Sequence, residues 1–96
     1  MVVSVLLTSL TKQGKKNFEK DPGKLLEYNK HLEALGIRVI GQYVLVGKYD
    51  LLEIFEGEST EAIYKAGLGL ADRETQTNIA LIGMSIEDFV KSRNNP

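Results

Sequence analysis

The 96-residue sequence has no cysteine, no tryptophan, two prolines and a single histidine. Without cysteine there is no disulfide framework and no thiolate chemistry, a composition that fits a reducing compartment, so a cytoplasmic location is expected. One histidine, His31, makes a zinc site improbable and is the only usual axial ligand for haem. Cys, His, Asp and Glu nowhere fall at metal-ligand spacing, so neither metal nor cofactor is expected. No apolar run reaches the ~20 residues of a membrane-spanning helix. The apolar residues 1–7 lack the basic start and cleavage site of a signal peptide and read as a strand. Twelve Lys and Arg against thirteen Asp and Glu leave a net charge of -1, which argues against nucleic acid or an anionic membrane as partner. Lys12, Lys15, Lys16 and Lys20 form a basic run, but Glu19, Asp21 and Glu27 dilute it into a solvated face. Gly67-Leu68-Gly69 follows a helical pattern and lacks the P-loop lysine, so it reads as a helix end.

What is present is one small domain, whose core covers its own apolar surface only in part. Residues 2–7 read as a first strand, and Thr11 as the N-cap of a short polar helix over 12–20. Asp21-Pro22 reads as an N-cap followed by proline at the first position of the main helix. Leu25, Tyr28, Leu32 and Leu35 give that helix one apolar stripe, and Gly36 suits its left-handed cap. Residues 37–46 and 49–56, split by Gly47-Lys48-Tyr49-Asp50, read as a hairpin with a tight turn at Gly47. Ser59 caps a second helix through Ala62, Ile63, Ala66 and Leu70, residues 75–84 form a fourth strand, and Ser85 opens a short terminal helix. The order β-α-β-β-α-β plus a tail helix predicts an α+β, ferredoxin-like antiparallel sheet covered by helices on one face.

A sheet covered on one side should alternate apolar with polar residues. Here Val39, Tyr43 and Leu45 share a strand with Ile40, Val44 and Val46 of opposite parity. Leu51 and Phe55 likewise face away from Leu52 and Ile54, and Ile79 and Leu81 from Ala80, Ile82 and Met84. Both faces are apolar, which predicts a homodimer, or a higher homo-oligomer, built sheet against sheet.

The segment Thr11-Lys12-Gln13-Gly14-Lys15-Lys16-Asn17, then Asp21-Pro22, Leu35-Gly36 and Gly47-Lys48-Tyr49-Asp50, resembles the GYD domain family across nearly the whole chain. The resemblance implies a ferredoxin-like fold of the dimeric α+β barrel type, in which two sheets face each other, and implies little about function. More distantly, the Gly-x-Tyr-Asp hairpin and the element order resemble the ligand-binding domain of feast/famine transcriptional regulators. Those domains bind amino acids between subunits; the DNA-binding domain that precedes them in the regulators has no counterpart here.

The candidate ligand-binding residues are Tyr43, Tyr49 and Asp50, and the candidate catalytic residues are Asp50 and His31. Each has a plainer alternative. Asp beside a hairpin commonly accepts backbone N–H bonds, an aromatic at a hairpin base packs across the strand pair, and His31 sits beside the apolar stripe as a boundary residue. Ser4, Thr8, Tyr43 and Asn78 could line an otherwise apolar cavity or be core hydroxyl and amide groups satisfied by backbone. Three readings of function follow: a small-molecule-binding module in a regulatory or accessory role, a cofactor-free isomerase, monooxygenase or lyase, and an assembly protein without ligand.

Overall fold

The computed structural model describes residues 1–68 and 76–94. Among these the chain runs β1 (Val2–Leu10), α1 (Lys12–Lys20), α2 (Lys24–Ala34), β2 (Arg38–Val44), β3 (Leu51–Gly57), α3 (Thr60–Lys65), β4 (Gln76–Gly83) and α4 (Ile86–Asn94). The sheet order is β2-β3-β1-β4 with every neighbouring pair antiparallel. Each helical crossover passes over one strand, β1 to β2 over β3 and β3 to β4 over β1, so the chain has the expected ferredoxin-like plan.

The helix starts are local chemistry. Thr11 Oγ1 accepts the Gly14 N–H at 3.1 Å, Ser59 Oγ the Ala62 N–H at 3.0 Å and Ser85 Oγ the Asp88 N–H at 3.0 Å, each satisfying a donor that the first turn leaves free. Gly36 takes φ 83° just past α2, as its place in the sequence predicts. The expected cap at Asp21-Pro22 is corrected by two residues, with Gly23 at the N-cap position. Because α1 runs to Lys20, Asp21 serves as its C-cap, with its N–H on Asn17 O at 3.1 Å, and α2 begins only at Lys24.

Two further corrections concern the hairpin. Residues 45–50 form a six-residue connection instead of a tight turn, closed by Leu45 N–H on Asp50 O at 2.8 Å, with Gly47 at φ 146°. In β2 the register shifts between Val39 and Gly41, as at a β-bulge. Val39 therefore pairs with Phe55 while Tyr43 pairs with Leu52, and two residues of equal parity face opposite sides of the sheet. The second helix, expected to run through Ala66 to Leu70, ends at Lys65 with Ala66 as its C-cap and Gly67 at φ 77°; Gly69, Leu70 and the expected start of the last strand at Thr75 lie outside the described residues.

One face of the sheet meets the helices. Ser4, Leu6 and Thr8 of β1 lie on it opposite Phe55, Glu53 and Leu51 of β3, and all six are buried. Leu6 and Phe55 join Leu32 of α2, Ile37, and Ile63 and Ala66 around α3 in a single core. The other face presents Val5, Leu7, Leu52, Ile54, Ile79 and Leu81, paired across neighbouring strands. Tyr43 joins them from β2, its ring lying across Gly41. Ile79, Leu81 and Tyr43 are 44%, 54% and 56% exposed, so this side is both open and apolar.

Leu32 is fully buried and seats α2 on the sheet. Truncation to alanine removes a core side chain and leaves a cavity, so Leu32→Ala is expected to lose about 2–5 kcal/mol in urea unfolding. A loss of a few tenths would show that α2 is not held by this contact.

Candidate functional site

The polar groups of the covered face gather around one glutamate. Glu53 sits on β3 between Leu51 and Phe55, on the core side, and is 8% exposed. Directly across the ladder, Gln42 donates from Nε2 to Glu53 Oε2 at 2.7 Å. Gln42 is itself held by a reciprocal amide pair with Asn29 of α2: Asn29 Nδ2 donates to Gln42 Oε1, and Gln42 Nε2 donates to Asn29 Oδ1 at 3.1 Å. Both N–H bonds of the Gln42 amide are thereby used. Burial raises the Glu53 carboxyl above its ordinary 4.5, and the Gln42 bond lowers it in part.

Glu53 lines a partly open cavity of about 220 Å³ between the sheet and the helices. Thr8 and Asn78, paired across β1 and β4, supply polar groups from the other side, with Thr8 Oγ1 donating to Asn78 Oδ1 at 3.0 Å. Leu6, Leu25, Tyr28 and Phe55 form much of the apolar lining, and Gln76 adds an amide. A mostly apolar hollow with a few convergent polar groups has the makeup of a small-molecule site. Thr8 and Asn78 were legible as candidate lining residues; Glu53 was not singled out. Its signal was present, since Glu53 shares parity with Leu51 and Phe55 and so places a charge on the core side of an apolar strand.

Of the residues singled out from sequence, Tyr43 shares a neighbouring cavity with Glu53, and none of Tyr43, Tyr49, Asp50 and His31 lines the cavity of Thr8 and Asn78. Asp50 ties the hairpin to β1: its Oδ2 accepts the Leu10 N–H at 2.7 Å, and its own N–H reaches Thr8 O at 2.8 Å. Tyr49 carries the Lys48 ammonium 5.6 Å from its ring centroid. Tyr43 lies on the open side of the sheet with its ring over Gly41. His31 is exposed in the last turn of α2, 5.9 Å from the Tyr28 ring between centroids. Tyr43 and Asp50 line different cavities, the first with Pro22, Leu26 and Gln42, the second with Lys15, Phe18 and Glu19. Among the described residues there is no group of three or more His, Cys, Asp and Glu that could hold a metal ion. None of the described helices is long and apolar enough to cross a membrane.

Two predictions come from this geometry. An acid whose folded value is the higher one favours the unfolded chain when it ionises, so stability is fullest below the ordinary value and falls as pH rises through the raised one. Glu53→Gln abolishes that ionisation while keeping a carbonyl oxygen for Gln42. It is therefore expected to melt above the native protein on the alkaline side of the transition, with a flatter dependence of Tm on pH. Parallel Tm curves would mean that Glu53 does not titrate in the fold. Asp50→Ala strands the Leu10 N–H and is expected to cost about 1–3 kcal/mol in urea unfolding, whereas an unchanged midpoint would mean that the hairpin is anchored by other bonds.

A protein from Thermus thermophilus named "Glutamine synthetase and cystathionine beta-lyase binding protein" is 31% identical over 91 residues, covering 94% of this chain and 96% of that one. Among solved structures, a dimeric ferredoxin-like protein from an uncultured marine organism superposes with a TM-score of 0.56 at 14% identity, covering 90% of this chain and 95% of the other. A hypothetical protein from Pyrococcus horikoshii superposes with a TM-score of 0.54 at 20% identity, covering 88% and 92%. These two likenesses show the fold. The GYD domain model matches residues 5–92, and with the Thermus relative aligned over almost its whole length, the chain belongs to the GYD domain family.

Proposed function

We propose that this protein is a homodimeric binding protein with an accessory or regulatory role, paired sheet to sheet and holding a small molecule on the helix-covered side. The observation that carries the reading is the open sheet face, where Val5, Leu7, Leu52, Ile54 and Leu81 present a continuous apolar surface. Monomers seldom leave such a patch bare, and a second copy of the same face is its self-complementary cover. The dimeric ferredoxin-like neighbour supports that pairing by its fold.

The accessory role draws on the Thermus relative, whose name describes a protein that binds glutamine synthetase and cystathionine beta-lyase. Carried over to this chain, that supports binding to another protein as its working mode. The small-molecule part draws on the cavity around Glu53, Thr8 and Asn78. With no cysteine in the sequence, the reading assigns the protein to the cytoplasm.

Native mass spectrometry of freshly purified protein tests assembly and ligand together. The expected result is an assembly of twice the 10.7 kDa chain with added mass that leaves on denaturation. Ile54→Asp, on the open face, is expected to yield a folded monomer with the native circular dichroism spectrum. A native protein that is monomeric, or an Ile54→Asp variant that remains dimeric, would overturn the sheet-to-sheet pairing.

A further inference from the structure

The Glu53 carboxylate has an incomplete set of partners. Oε2 takes the Gln42 N–H, but Oε1 has no donor among the described residues. No buried side-chain oxygen or nitrogen among them lacks a partner, so Oε1 is not sealed off, and Glu53 lines the cavity. Gln42 has no further N–H to offer, both being spent on Asn29 and Glu53. No Lys, Arg or His among the described residues forms an ion pair with Glu53, and it is the one charged side chain among the described residues lining this cavity. A carboxylate withdrawn from water without a cation is costly. A ligand carrying both a positive charge and an N–H bond would offset that cost.

The surroundings restrict the rest of such a ligand. Tyr28 lines the same cavity and brings an aromatic ring, a group suited to an ammonium, and Thr8 Oγ1, whose hydrogen is committed to Asn78, has lone pairs to accept a second N–H. Beyond Glu53 the walls are Leu6, Leu25, Phe55 and Leu68. A second cavity of about 340 Å³ shares Leu25, Tyr28, Leu51 and Gln76 with the first and extends to Leu10 and Phe18, with Asn17, Asp21 and Lys24 also among its lining residues. An apolar body can lie there while its charged end stays at Glu53. The first chamber, about 220 Å³, is below the roughly 300–1,000 Å³ of a site for a drug-sized ligand, so the charged end must be compact.

From this geometry we infer that the cavity is a binding site for a small primary amine, whose ammonium group is held by Glu53 Oε1 and Thr8 Oγ1 in a chamber that Tyr28 also lines and whose apolar body lies against Leu25 and Phe18. The inference rests on the small-molecule reading proposed above and names its ligand class. An aliphatic or aromatic monoamine fits; a dianion or a phosphate does not, because it would place like charge against Glu53.

The experiment titrates the full chain at neutral pH with phenethylamine, 2-phenylethanol and 3-phenylpropionate, which share an apolar body and differ in the charge of the polar end. Binding is read by calorimetry and by amide NMR shifts. The expected result is binding of phenethylamine with shifts at Thr8, Glu53 and Asn78, and affinity for 2-phenylethanol lower by about tenfold or more, the scale of a charged hydrogen bond. Glu53→Gln is expected to weaken the amine by a similar factor. Equal binding of all three probes at these residues, or full amine affinity in Glu53→Gln, would overturn the amine assignment and leave the small-molecule reading standing. Absence of shifts at these residues with every probe would overturn the amine assignment, and together with no added mass in native mass spectrometry it would overturn the small-molecule reading as well. Should Glu53→Gln fail to fold, the ranking of the three probes on the native protein decides the question.

Discussion

The alignment of β3 on β1 is the constraint from which both surfaces of this protein follow. Side chains alternate along a strand, so a slip of one residue would carry every core residue of β3 to the open face. Asp50 helps prevent that slip at the end of the ladder, one residue before β3 begins. Its N–H on Thr8 O and its carboxylate on Leu10 N–H bracket the last turn of pairing between the hairpin and β1. The charged acceptor makes the second of these bonds stronger than a neutral one. With Leu51 set against Thr8, Glu53 falls opposite Leu6 and Phe55 opposite Ser4, and the covered face acquires its acid and its aromatic together. The Asp of the Gly47-Lys48-Tyr49-Asp50 segment is thus a register element. It also holds the backbone of Thr8, which lines the cavity.

Glu53 is the costly residue in this arrangement. A valine or leucine at the same place would pack beside Leu6 and Phe55 without the desolvation that raises the carboxyl. The surrounding polar groups offset that cost only in part: Asn29 orients Gln42, and Gln42 supplies a single N–H. Because Asn29 belongs to α2 and Gln42 to β2, the small network also ties the helix to the edge strand. Groups strained in this way concentrate where a protein meets another molecule, and the ammonium ligand proposed above would offset the cost.

The elements of the fold were legible because the signals that make them are local. Thr11, Ser59 and Ser85 cap helices through bonds to residues three positions on, and Gly36 ends α2 by its own backbone conformation. What the sequence concealed was nonlocal. The shift between Val39 and Gly41 separates two residues that parity groups together, and its cause lies in the pairing with β3. The partner of the Asp50 carboxylate is forty residues away, at Leu10. Glu53 could have been noticed from its parity with Leu51 and Phe55, but its hydrogen-bond partners depend on where the bulge restores the register, so the site required the three-dimensional pairing. Tyr43, Tyr49, Asp50 and His31 attracted notice as polar or titratable residues near a motif, and that proximity along the chain did not bring them to one place.

The same seven residues of β3 serve two surfaces that do not touch. Leu51, Glu53 and Phe55 face the helices, while Leu52 and Ile54 face away. Changes on the open side therefore alter apolar packing without removing a hydrogen bond from the cavity, and changes in the cavity leave the outer apolar row intact. The connection between the two sides is the strand backbone, held by β1 on one flank and β2 on the other. A fold with one covered and one open sheet face can in this way keep the proposed pairing surface apart from the proposed ligand cavity within 96 residues.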